Sequence, residues 1–200
     1  MKKLLIIFAA LVLTTGAFGQ DIVGSAHDFS SAGWNTSGEI CIACHTPHNA
    51  MAGYEPLWNH DVTVASFTLY SSDTLDATPG QPDGVSKLCL SCHDGTVALD
   101  SFGGFIGTTD YITGDALLGT SLSNDHPISF AYDTALSIAD GELADPSTVV
   151  SGLGGTIDAD MLFGGQMECA SCHDVHGSGE SHLLVMDNAA SALCLLCHLK

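Results

Sequence analysis

The chain contains no arginine, and its only lysines are Lys2, Lys3, Lys87 and Lys200. Against them stand 23 acidic residues, for a formal net charge of −19 at pH 7. A surface so poor in cations cannot neutralise phosphates, which excludes nucleic acid and anionic membrane faces as partners. It also leaves few ion pairs to hold a fold, and no basic pocket for a small oxyanion. Long apolar runs are equally scarce. The run from Leu4 to Leu13 is too short to span a bilayer comfortably, and no later stretch is apolar enough. It follows Lys2 and Lys3 and precedes the small residues Ala17 and Gly19. That pattern reads as a secretory signal peptide over residues 1–19, with no cysteine at the cleavage site for a lipid anchor. Residues 20–200 would then carry two lysines against all 23 acids, a charge of about −21.

Large core residues are also thin along the chain, while glycine, with 22 copies, is abundant. Such a chain needs cohesion from disulfides, metals or bulky cofactors. Eight cysteines are present, and all fall into four pairs: CIACH at 41–45, CLSCH at 89–93, CASCH at 169–173 and CLLCH at 194–198. Disulfide staples and zinc ribbons use paired cysteines too, but neither needs histidine directly after the second one. Covalent c-type haem attachment does. Two thiols add to the haem vinyl groups, and the next residue brings its imidazole under the iron. Four haems c are therefore expected. The anchors are Cys41 and Cys44, Cys89 and Cys92, Cys169 and Cys172, and Cys194 and Cys197. The proximal iron ligands are His45, His93, His173 and His198.

Six further histidines remain: His27, His48, His60, His126, His176 and His182. An iron that only moves electrons is usually six-coordinate, and this surplus favours bis-histidine ligation over Met51, Met161, Met167 or Met186. Bis-histidine ligation predicts low potentials. His48 and His176 each lie three residues after a proximal histidine. Axial ligands must approach opposite faces of one haem, so each of these should reach a haem other than its neighbour's. His60 sits beside Trp58 in PLWNH, and His126 precedes Pro127. His27 lies on an N-terminal arm, where it could act in its own chain or in trans. His182, in GESHLL, suits a surface role.

Between the motifs the sequence predicts mostly coil. Thr36 and Glu39 suggest a capping box before CIACH. Asp83 is placed to cap a helix through SKLCLSCH, and Asn188 to cap AASALCLLCH, the longest helix expected. Residues 62–70, VTVASFTLY, form the best strand candidate, with short apolar pieces such as HPISFAY and STVV in a loop-rich insert at 94–168. TIDADMLFGG is acidic but lacks calcium-loop spacing. About 45 residues per haem leaves little room for a core other than stacked porphyrins.

The succession CxxCHTPHN, PLWNH, SKLCLSCHDGTVA, NDHPISF, CASCHDVHG and SALCLLCH, over about residues 24–200, resembles the doubled-CxxCH family of multihaem c-type cytochromes. Within it the chain is similar to small extracellular tetrahaem cytochromes that polymerise into conducting filaments. The resemblance implies one coil-rich tetrahaem domain over residues 20–200, stacked bis-histidine haems, and an axial histidine that can come from an adjacent subunit. It implies distal roles for His48, His176, His60 and His126, with His27 matching an N-terminal ligand able to act in trans. That makes five histidines for four sites. The function expected is electron transfer, not catalysis, in an exported protein whose partners are copies of itself, redox cytochromes or extracellular acceptors. The alternatives are a monomeric periplasmic shuttle and a reductase with one open haem.

Overall fold

A computed structural model of the chain describes residues 22–177 and 179–199. The expected signal peptide at 1–19 lies outside the described residues. What is described is mostly coil, with short helices and one two-stranded sheet. The α-helices are α1 (Gly84–His93), α2 (Thr134–Asp140), α3 (Ile157–Met161) and α4 (Ala192–Cys197), and the strands are β1 (Phe130–Ala131) and β2 (Gln166–Met167). Short 3-10 turns include Cys169–Ser171. Among the described residues no helix is long and apolar enough to cross a membrane.

Local chemistry explains the short elements. Asp133 accepts the Leu136 amide at 2.9 Å and starts α2, and Gly141, at φ 75°, ends it in the left-handed conformation open to glycine. Thr156 caps α3 through the Ala159 amide. The strands pair antiparallel, Phe130 with Met167 and Ala131 with Gln166. This pairing ties the middle of the insert to the segment entering the third CxxCH motif.

The insert is more structured than its composition suggests. It supplies most of an apolar core made by Phe130, Tyr132, Leu136, Ala144, Ile157, Met161, Leu162 and Met167, joined by Leu193 of α4. A smaller cluster of Phe67, Leu90 and Leu122 packs under α1. The polypeptide thus has a core of its own, built by one fold-back around β1 and β2.

Several local expectations are corrected. The longest helix is α1, not the one at 188–198, because Ala190 and Ser191 adopt left-handed angles and α4 starts only at Ala192. Among the described residues no helix carries CIACH; residues 40–44 form turns, with the His45 amide bonded to the Cys41 carbonyl at 2.8 Å. Residues 62–67 join no strand ladder. Their backbone groups are taken by side chains: Thr63 N by Ser91 Oγ, Phe67 N by Gln81 Oε1, and Phe67 O by Gln81 Nε2. The amide of Gln81 mimics a neighbouring strand and ends the ladder at one residue. STVV is likewise no strand: its one strand-like pairing is a single bridge from Val150 to Thr156.

Candidate functional site

The four CxxCH segments follow one another in space. Burial pushes the Cys44 thiol up to about 11, with Cys41 beside it, and pushes Cys92 up to about 12, with Cys44 the next cause. The thiols of Cys89 and Cys169 lie close enough to shift one another, Cys89 upward and Cys169 downward. Burial takes Cys172 to about 11, and Cys197 and Cys194 add to it. The first motif therefore lies near the second, the second near the third, and the third near the fourth. The eight cysteines are unpaired, so the structure does not use them as staples.

Each motif histidine is held by the loop that folds back over it. At the first motif, Asn59 N donates to Cys44 O at 2.9 Å, Thr46 N to Leu57 O at 2.9 Å, and His45 Nδ1 lies 2.8 Å from Pro56 O. The third motif repeats this register: Val185 N to Cys172 O at 2.9 Å, Asp174 N to Leu183 O at 2.7 Å, and His173 Nδ1 3.0 Å from His182 O. The fourth repeats its two backbone bonds, Ala144 N to Cys197 O and Leu199 N to Glu142 O, both 2.8 Å. At the second, Leu118 N donates to His93 O, and His93 Nδ1 lies 2.7 Å from Ala116 O. A carbonyl can only accept, so the Nδ1 of His45, His93 and His173 carries the proton. Each Nε2 is then left as a lone pair, the arrangement that metal-bound histidines use.

Three of these rings face a second imidazole. His93 and His27 have ring centres 6.0 Å apart, His45 and His176 6.0 Å, and His198 and His126 6.3 Å. A metal–imidazole bond of ~2.0–2.1 Å plus a ring radius of ~1.1 Å puts the centres of two rings on one metal ~6.2–6.4 Å apart. The observed spacings fit one metal between each pair. Among the described residues no three His, Cys, Asp or Glu side chains converge as they would around a bare ion. Two imidazoles at this spacing suit a metal whose other donors come from a planar ring. His27 adds a second sign: its Nδ1 is buried without a partner. Burial, and then the charges of His93, His173 and His176, hold His27 below its ordinary pKa and keep the ring neutral.

The remaining histidines are not so paired. Among the described residues no second imidazole lies against His173 or His48, and both are exposed. His60 is buried, with Nδ1 2.8 Å from Asp61 O and Nε2 3.1 Å from Ala98 O. Its ring lies beside the Cys92 sulfur and faces no other histidine. His182 is exposed, and its backbone carbonyl receives His173. The sequence left His27 free to reach another chain; the structure sets it against His93 of its own. The clamp carbonyls of Pro56, Ala116 and His182 carry no side-chain signal that could have announced them.

A family model described as a doubled CXXCH motif matches residues 163–200, which include the third and fourth motifs. No curated protein matches the chain. The match supports a multihaem cytochrome c-like region there, and the CxxCH motifs indicate covalently bound haem c, with electron transfer as its chemistry.

Proposed function

We propose that the chain carries four covalent c-type haems, each iron held between two imidazoles, and serves as the subunit of an extracellular filament that conducts electrons. The observation that carries this reading is the set of three imidazole pairs at 6.0–6.3 Å, each joining one CxxCH histidine to a histidine elsewhere in the chain. In this reading Cys41 and Cys44, Cys89 and Cys92, Cys169 and Cys172, and Cys194 and Cys197 anchor the porphyrins. His27 closes the His93 iron, His176 the His45 iron and His126 the His198 iron. When bound, haem supplies a one-electron couple. The residues orient it and shut both axial positions, leaving no site for a substrate, so the protein is a conductor and not an enzyme.

His173 supports the filament. It is clamped for ligation like His45, yet among the described residues no second imidazole faces it. His48 is the exposed candidate left over, and His60 is occupied by carbonyls of its own chain. His48 of one copy completing His173 of the next is a head-to-tail contact between different surfaces, and such contacts propagate. Trp58 Nε1, buried without a partner beside His45, is a donor that suits a haem carboxylate in a chain without arginine. The strong negative charge favours the alternative, a monomeric periplasmic shuttle, because like charges oppose self-association. Electron microscopy of the purified, haem-loaded protein separates the two. Filaments are expected, and a monomer at high concentration by light scattering would reject the assembly.

A further inference from the structure

The second and third attachment motifs are joined by a buried polar hub. Its centre is Glu168, the residue before Cys169, with 5% of its surface exposed. One carboxylate oxygen accepts the Ser86 amide at 3.3 Å and the Ser129 hydroxyl at 3.1 Å. Its backbone amide donates to Ser171 Oγ at 2.9 Å. The reciprocal link runs from Cys169 N to Ser86 Oγ at 2.9 Å, across 83 positions of sequence. Ser86 and Ser171 are fully buried. Asp83, in the usual capping position of α1, makes no side-chain cap. The first turn of the helix that carries Cys89 and Cys92 is instead capped by the residue that leads into Cys169. Gly84 leaves room for it: a Cβ there would stand 3.3 Å from Glu168 Oε1, at a φ of 49° that other residues rarely adopt.

A carboxylate buried at this depth is costly unless its oxygens are satisfied. Here the satisfaction comes from Ser86, three residues before Cys89, and from Ser129 of the insert, on a carboxylate that itself directly precedes Cys169, and the helix that carries Cys89 packs against the turn that carries Cys169. A helix cap alone would not need to span the two motifs. We infer that Glu168 is a positioning residue, whose carboxylate sets the spacing and angle between the Cys89/Cys92 and Cys169/Cys172 anchors and so between the two haems they hold. The inference rests on the four-haem reading above and adds a residue outside the ligand set to the conduction path.

Circular dichroism in the Soret band of the full haem-loaded protein tests it, because two porphyrins fixed close together give a two-signed couplet. Mass and spin state of the wild type first establish four low-spin haems; their absence would defeat the functional reading and this inference with it, whereas the couplet tests the inference alone. Glu168→Ala is expected to lose most of the couplet with all four haems retained, and Glu168→Gln, which still accepts both bonds without the charge, to restore it. An unchanged couplet in Glu168→Ala, even with a lowered melting temperature, overturns the inference. A loss that Glu168→Gln fails to restore assigns the effect to charge and also overturns it. Should Glu168→Ala load fewer haems, Ser129→Ala, which removes a hydroxyl donor from the carboxylate, carries the test, and an intact couplet there overturns it.

Discussion

Consider the proposed haem-loaded filament diluted through the concentration at which it would come apart. Three of the four motif histidines face an imidazole of their own chain at 6.0–6.3 Å, and dilution cannot separate these pairs. Among the described residues His173 faces none, so in the proposed assembly the iron on it would depend on the next copy. An interface worth about 8 kcal/mol is half dissociated near 1 μM, and mass action empties it within about two decades below that. Over that range one iron in four should pass from low to high spin, and the change should then stop. Paramagnetic resonance or resonance Raman spectra against concentration measure the fraction directly. His48→Ala should show the same quarter at every concentration, form no filaments, and regain the low-spin state on adding free imidazole. Dissociation with no high-spin iron would place a ligand for His173 inside its own chain. A plateau well above one quarter would mean that at least one of the three ring pairs does not hold a metal.

Other substitutions probe the remaining parts. His27→Ala should open the His93 iron in a way that dilution does not alter, read by the same spectra. Because burial depresses the pKa of His27 below 6.5, the unfolded chain takes up a proton there that the native chain refuses. Stability should therefore fall as pH drops below that value, and urea midpoints of His27→Ala at pH 7 and pH 5 should show less of the fall. Tyr132 Oη donates to Ala144 O at 2.7 Å in the core, so Tyr132→Phe strands a buried acceptor and should cost ~1–3 kcal/mol in urea unfolding. Ile157, with no exposed surface, should cost ~2–5 kcal/mol as Ile157→Ala, or ~2–4 °C of melting temperature per kcal/mol, with spin states unchanged.

The attachment chemistry was legible in the sequence because it is covalent and local: a vinyl group needs a thiol at a set spacing, and the iron needs the residue beside it. The coil-rich character was legible from glycine and the want of helical periodicity. Pairing of the distal rings was not, since it depends on how loops of tens of residues close, and spacing limits that only by forbidding a neighbour. That limit did its part: His176 lies three residues from His173 and faces His45. Capping was misread where tertiary partners outcompeted local ones. Asp83 stood in the right place, but Glu168 reached the same amides from the other side of the chain. The strand at 62–70 failed because Gln81 supplied the pairing that a second strand would have made.

A chain with so little regular structure still has to hold imidazoles to within fractions of an ångström of a metal. The repeated clamp shows how. Its bonds run from backbone amides to the carbonyls of a cysteine and of a returning loop, and the last carbonyl fixes both the tilt and the tautomer of the ring. None of these groups belongs to a side chain, so Pro56, Ala116 and His182 serve equally well at His45, His93 and His173. The loop sequences are then free to diverge, provided that the register of the return is kept. Regular secondary structure supplies rigidity by repeating backbone bonds along one segment. Here the same kind of bond is spent singly, at the points where a ring must not turn.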